Sequence, residues 1–376
     1  MIESFFSYTI LGESMQKRLD VPLFLTVIFL SCIGLLMIYS SSYIWAEYKF
    51  EDSFFYVKHQ SVFLILGLFL MMIISKIPFQ KYYEYSNVIL GVSLLLLILV
   101  LIPGIGSIRN GSRSWFGIGS FGIQPSEAAK ISLIIFTSKY LSNSSSYMKS
   151  YFKGVFPVLC ISFLCFGLIM LQPDLGTGMI LMMSVIALLF ISGVSYKFFF
   201  GGGILGILGI IGLILMAPYR LNRITSFFNP WKDSLGTGFQ MIQSLYAIGP
   251  SGILGTGYLQ SIQKHFYLPE PQTDFIFSIL AEEFGMIGVV VVVSLFGFLF
   301  YRGIKIAYES TNLFGKYLSF GIIFQLIFQT IMNLMVVVGL IPITGVTLPF
   351  ISYGGSSLLV SMCSMGILLN ISKNMV

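Results

Sequence analysis

Charge is scarce in this chain. Only 10% of its 376 residues are Asp, Glu, Lys or Arg and only two are His, whereas 56% are hydrophobic. A chain with so little polar surface does not stay dispersed in water, so soluble fold classes are excluded and the bilayer is its solvent. Cysteine is sparse as well. Cys32, Cys160, Cys165 and Cys363 all lie in apolar stretches with no C-x-x-C spacing, which argues against a thiolate metal site or a redox motif. Alternation is missing too: the apolar runs are continuous, which excludes barrel strands and leaves helices as the way to satisfy backbone polar groups in lipid. No repeat of about 20–50 residues is visible.

What is present is a series of apolar runs, each close to the roughly 20 residues needed to span. The runs predict helices near 21–43, 60–78, 85–104, 125–142, 153–172, 175–194, 197–217, 275–301, 313–341 and 350–372. The expected fold is an all-α polytopic membrane protein, a single integral-membrane domain over 1–376 with about ten transmembrane helices. Its first apolar run has no small-residue cleavage site and is expected to be retained. A long polar segment over about 218–274 separates the seventh and eighth helices. The run Gly201–Gly203 is expected to allow close helix packing.

An even number of helices puts both termini on one side. Lys17, Arg18, Lys76, Lys81, Lys139, Lys149, Lys153, Lys197, Arg302, Lys305, Lys316 and Lys373 share a face, which the positive-inside bias assigns to the cytoplasm. Arg109, Arg113, Lys130, Arg220, Arg223, Lys232 and Lys264 fall on the opposite side around two connections. An outward-facing anionic ligand explains cations that resist the bias; the alternative is that long loops translocate regardless of charge. The net charge of +6 is thus a topology signal, and nucleic acid is not an expected partner.

Three groups of residues carry chemistry. In LPEPQTDFIF, Asp274 stands at the water–lipid boundary before the eighth helix, with Thr273 as a possible cap. Partial desolvation there favours a proton acceptor and nearby cations oppose it, while the bland reading is that Asp274 only complements the helix dipole. Charges inside apolar segments form the second group: Glu127 and Lys130 in QPSEAAK, Asp174 in LQPDLGTG, and Glu282 and Glu283 two turns into the eighth helix, at least one of which should face the interior. For the helical charges the competing reading is an ion pair that holds the bundle. The third is TLPFISYGGSS over 347–357, with Ser352 and Tyr353, where non-helical backbone is tolerated only if it lines a cavity or is buried in protein.

Taken together, QPSE, QPDLGTG, the stretch from NPWKD to LPEPQTDFIF and the closing TLPFISYGGSS resemble the SEDS family, whose members include FtsW, RodA and SpoVE, over nearly the whole chain. The wording of SIQKHFYLPEPQTDFIF, FFNPWKD and GVTLPFISYGGSS is similar to the FtsW and SpoVE branch. The resemblance implies a peptidoglycan glycan polymerase in the bacterial cytoplasmic membrane, serving septal synthesis in division or sporulation. It implies lipid II (undecaprenyl-diphosphate-linked disaccharide pentapeptide) as substrate, and as partners a class B penicillin-binding protein and other septal division proteins. By motif, Asp274 is the implied general base, with Arg113, Glu127, Lys130, Asp174, Arg220, Arg223, Lys264, Glu270, Ser352 and Tyr353 as candidate substrate-binding residues. Outward cations or a divalent cation, Mg or Mn, are expected to stabilise the leaving diphosphate; no organic cofactor is expected. Two other readings compete: a lipid II flippase and a non-catalytic scaffold. Against the flippase, the polar residues gather at one face and no inverted repeat appears.

Overall fold

A computed structural model describes residues 19–109, 111–117, 122–143, 154–215 and 218–373. The chain begins with α1 (Val21–Phe50), capped by the Asp20 carboxylate, which accepts from the Leu23 amide at 2.9 Å. Pro22 in its first turn suits a position with no intrahelical donor role. Next come α2 (Phe55–Ile74) and α3 (Gln80–Leu99). A two-stranded antiparallel hairpin follows, β1 (Ser107–Arg109) with β2 (Ser112–Trp115), in register Ile108 to Arg113. Then come α4 (Pro125–Asn143), α5 (Phe156–Met170), α6 (Leu175–Ile191) and α7 (Tyr196–Leu215). The polar segment holds α8 (Pro218–Phe228), a 3-10 turn (Pro230–Asp233) and α9 (Phe239–Ile248). The chain closes with α10 (Ile276–Glu309), α11 (Leu313–Val337) and α12 (Gly355–Ser372).

The ten expected apolar segments each coincide with a helix, and among the described residues α1, α2, α3, α10, α11 and α12 are long and apolar enough to cross a membrane. Shorter apolar helices are α5 and α6. Boundaries move where local chemistry decides them. Pro78 lets α3 start only at Gln80, and the turn containing Pro103 and Gly104 ends it early. TLPFISYG stays non-helical, so α12 starts at Gly355. The hairpin was not expected, because three- and four-residue strands leave too short a pattern to read.

One further expectation is corrected. Gly201–Gly203 are exposed, and a Cβ on any of them would meet nothing, so they serve no close packing among the described residues. Close approach occurs instead around 344–351: a Cβ on Gly34 of α1 would strike the backbone of Phe350 and Ile351, and one on Gly176 of α6 would press on Thr344 and Val346. The amphipathic α9 packs into the bundle. It buries Met241, Ile242 and Ala247, and its Ser244 hydroxyl lies 2.7 Å from both the Val337 carbonyl of α11 and Ser278 of α10.

One end of the bundle is tied by polar contacts. Arg302 of α10 pairs with Asp20, and Asn370 of α12 accepts from the Phe79 amide at 2.9 Å and donates to the Ser75 carbonyl at 2.9 Å. Lys373 reaches the same carbonyl, and Lys139 lies over the Tyr83 ring. The other end gathers the hairpin, the 171–174 turn, the 218–275 segment and the 338–354 segment, and there the candidate residues converge.

Candidate functional site

Asp274 lies two residues before α10, half-buried, with one carboxylate oxygen accepting from the Thr273 hydroxyl at 2.9 Å. That hydroxyl also contacts the Glu270 carbonyl at 2.8 Å, so Thr273 does not cap α10; Phe275 occupies the cap position without a side-chain bond. Burial pushes the Asp274 carboxyl above the ordinary carboxylate range, the Glu270 charge pushes the same way, and the Arg223 guanidinium opposes them. Glu270 sits at φ 46°, in the left-handed region that a glutamate rarely adopts, in the turn that presents Thr273 and Asp274.

Arg223, on α8, is exposed and donates to the Ile343 carbonyl at 3.0 Å. It lines an open cavity of about 310 Å³ together with Thr237, Phe239, Gln240, Pro269 and Ile343. The 3-10 turn shapes one wall: the Asp233 carboxylate accepts from both the amide and the hydroxyl of Thr237. The Arg220 side chain and the Arg109 side chain lie outside the described residues.

The 347–357 segment is the hub of this end. Tyr353 donates its amide to the Gln272 carbonyl at 2.8 Å, and its ring meets Tyr56 edge-on at 4.9 Å. Gln60 of α2 donates to the Ser352 carbonyl and accepts from the Gly354 amide. Ser352 itself is buried, and its hydroxyl accepts from the Leu348 amide at 2.9 Å, closing the turn. Ser356 accepts from the Gln124 amide and donates to the Gly122 carbonyl.

Glu127 and Lys130 pair at 3.0 Å on α4, almost wholly buried, and Lys130 also donates to Gln329 of α11 at 3.1 Å. Asp174 caps α6, accepting from the Thr177 amide at 3.0 Å and from Gln124 at 3.0 Å. Burial raises its carboxyl above the ordinary range, with the Glu127 charge adding and Lys130 subtracting. Arg113, on β2, keeps a buried Nε without a hydrogen-bond partner, and the Ser112 hydroxyl beside it bonds the Gln172 carbonyl.

Lys264 is placed elsewhere. Its side chain is fully buried and pairs with Glu283 at 2.8 Å, next to Ser40 and over the Tyr43 ring. Its charge is balanced by Glu283 inside the protein. Both Glu282 and Glu283 face the interior; Glu282 accepts from the Ser261 hydroxyl and from the Ile262 amide at 2.7 Å.

Four amide side chains that the sequence reading passed over organise the site: Gln60, Gln124, Gln329 and Asn333. A signal for two of them was present, since Gln325, Gln329 and Asn333 recur every fourth residue in an otherwise apolar helix and therefore line one face. Among the described residues no group of three His, Cys, Asp or Glu side chains could hold a metal ion. The pair Asp274 and Glu270 suits Mg²⁺ or Mn²⁺ only in the manner of an ion bound through one or two carboxylates and completed by substrate phosphates and water.

Known proteins were compared with this arrangement. The family described as "Cell cycle protein", covering FtsW, RodA and SpoVE, matches residues 21–376. Stage V sporulation protein E of Bacillus subtilis (strain 168) is 49% identical over 354 residues, 94% of this chain and 97% of that protein. A probable peptidoglycan glycosyltransferase FtsW of Geobacter metallireducens is 40% identical, covering 96% of each chain. Among solved structures, a chain from work on the structural coordination of polymerization and crosslinking by a peptidoglycan synthase complex superposes with a TM-score of 0.79 at 31% identity, covering 94% of this chain and 98% of its own. The rod shape determining protein RodA of Thermus thermophilus gives 0.71 at 27% identity, covering 95% and 98%.

Proposed function

We propose, for a chain that belongs to the FtsW, RodA and SpoVE family, that Asp274 is the general base of its glycosyl transfer. The protein is a polytopic membrane peptidoglycan glycosyltransferase that builds glycan chains for septal or spore synthesis. The FtsW and SpoVE likeness of its motifs is borne out by these relatives.

The observation that carries the role of Asp274 is its half-buried carboxylate, raised in basicity by burial and within electrostatic reach of Arg223, which lines the cavity. With lipid II as substrate, Asp274 takes the proton from the acceptor sugar 4-hydroxyl as that oxygen forms a bond to the donor anomeric carbon. The bond from that carbon to the lipid diphosphate breaks, and the diphosphate leaves with the bonding electrons. Arg223 offsets the charge that develops there, with Arg113 and Arg220 as further candidates. A divalent cation, if bound, would be held by Asp274 and Glu270 together with substrate phosphates and water, and would supply further charge stabilisation. The tied, Lys- and Arg-bearing end of the bundle is the cytoplasmic one, with both termini there, ten crossings and the site outside. The class B penicillin-binding protein and the septal proteins are its partners in the cytoplasmic membrane.

The test is glycan formation from purified lipid II by the detergent-solubilised protein with its penicillin-binding partner, native against Asp274→Asn. Loss of a general base lowers turnover by about 10²–10⁴-fold. A raised carboxyl binds its proton more tightly in the folded than in the unfolded chain. Its stabilising contribution is full below the unfolded value and lost as pH rises through the folded one, so the charged form opposes folding at neutral pH. The Asn variant is therefore expected to melt no lower than the native protein while making no polymer. Native-like turnover in the variant would remove Asp274 from the chemistry, and translocation of lipid II without polymer would favour the flippase.

A further inference from the structure

Asn333 of α11 is completely buried, and its amide nitrogen donates to two backbone carbonyls at once: that of Asp274 at 2.7 Å and that of Val346 at 2.8 Å. Because both neighbours are acceptors, the atom facing them must be the nitrogen, and the amide orientation is fixed by chemistry. Its other atom, Oδ1, is buried and has no hydrogen-bond partner. One turn earlier, Gln329 donates to the Thr347 carbonyl at 3.0 Å and accepts from Lys130. Adjacent turns of one rigid helix therefore hold consecutive residues of the closing segment, and the Asn333 turn holds the backbone of Asp274 with them.

Among the described residues the side chain that bonds the Asp274 carboxylate is that of Thr273, its sequence neighbour on the same loop. The loop itself contains the left-handed Glu270, and the segment opposite contains Phe350 at φ 65°, a backbone conformation that needs external support in a bulky residue. A primary amide supplies two N–H donors about one nitrogen; a hydroxyl supplies one and a carboxylate none. We propose that Asn333 is a positioning residue that fixes where the Asp274 carboxylate stands, by clamping the Asp274 and Val346 carbonyls together. This inference rests on the reading of Asp274 as the base. It assigns Asn333 to turnover rather than substrate affinity, since a reacting group displaced by about 1 Å costs on the order of 10²-fold in rate.

The experiment uses the full chain with its penicillin-binding partner and two readouts. Polymerisation kinetics are measured for native protein, Asn333→Asp, Asn333→Ser and Asn333→Gln. Amide hydrogen exchange is followed in 270–275 and 346–353. Asn333→Asp keeps the shape and an acceptor but removes both donors, so kcat should fall about 100-fold with KM within about twofold. Exchange should rise in both segments while α1 and α2 stay protected. Asn333→Ser, with one donor, should lie between, and Asn333→Gln should recover part of the loss. Unchanged exchange in both segments, a loss that appears in KM alone, or activity that tracks melting temperature across the series would overturn the clamp. Should Asn333→Asp not fold, the Ser variant carries the same exchange criterion. Faster exchange in both segments without polymer from the native chain would keep the clamp and reject the base.

Discussion

Among the described residues two buried ion pairs occupy the half of the bundle that carries the candidate site, and they differ in where their connections lead. Lys264–Glu283 joins a loop to α10, and its neighbours turn inward on one another: Ser40, Ser261 and the Tyr43 ring. Next to it α10 breaks at Gly285, with φ 60°, and the 252–257 loop is stitched into the break through backbone bonds from Thr256 to Glu282, Gly257 to Glu283 and Met286 to Gly252. A side chain on Gly255 or Gly285 would collide with the opposite backbone. Glu127–Lys130 sits within α4, and its further bond runs outward through Gln329 to Thr347, in the segment clamped to Asp274. Burial and charge alone do not separate a staple from a working group. The partners of the partners do.

The largest effect is expected at the staple. Removing one member of a buried pair leaves the other charge uncompensated, which costs about 3–5 kcal/mol, whereas replacing both by apolar groups is often neutral. Lys264→Met should therefore lower the melting temperature sharply, and Lys264→Met with Glu283→Leu should restore much of it. Turnover per folded molecule should stay near native in the double variant. A stable double variant without activity would erase the contrast and bring Lys264 back to the site.

The same pair of changes at Glu127 and Lys130 sharpens the comparison by dissociating the two readouts. Lys130→Met should destabilise for the same reason, and Lys130→Met with Glu127→Leu should recover stability. Polymer formation should not recover, because Gln329 loses the donor that links α4 to the Thr347 carbonyl. Full activity in a stable double variant would make this pair a second staple.

The sequence made the ten apolar helices legible because span length is a property of consecutive residues. It made Asp274, Asp174 and Glu127 legible as carboxylates at helix starts for the same local reason. Ownership of partners was not legible. Glu283 is 19 residues from Lys264 and 243 from Ser40, and nothing periodic connects them. Ser352 read as a polar residue at a mouth, although its hydroxyl serves a backbone amide four residues away. Asn333 and Gln329 were overlooked because uncharged amides in an apolar helix raise no electrostatic alarm, yet in such surroundings an amide with a free donor would be costly enough to demand a partner.

The smallest effect tests whether the cations at the site act on the carboxylate as well as on the ligand. Burial holds the Asp274 carboxyl above its ordinary range, Glu270 adds to the rise and Arg223 subtracts from it. A base works only when deprotonated, so the acid limb of kcat/KM follows that carboxyl. In Arg223→Gln the opposing charge is gone and the limb should move to higher pH; in Glu270→Gln it should move to lower pH. Arg223 is exposed, so its influence is screened and both shifts should shrink as salt is raised. If Arg223→Gln raises KM for the lipid-linked donor and leaves the acid limb in place, Arg223 serves the diphosphate alone. If the limb moves with KM unchanged, its guanidinium acts through Asp274, and the cavity it lines needs another cation for the leaving group.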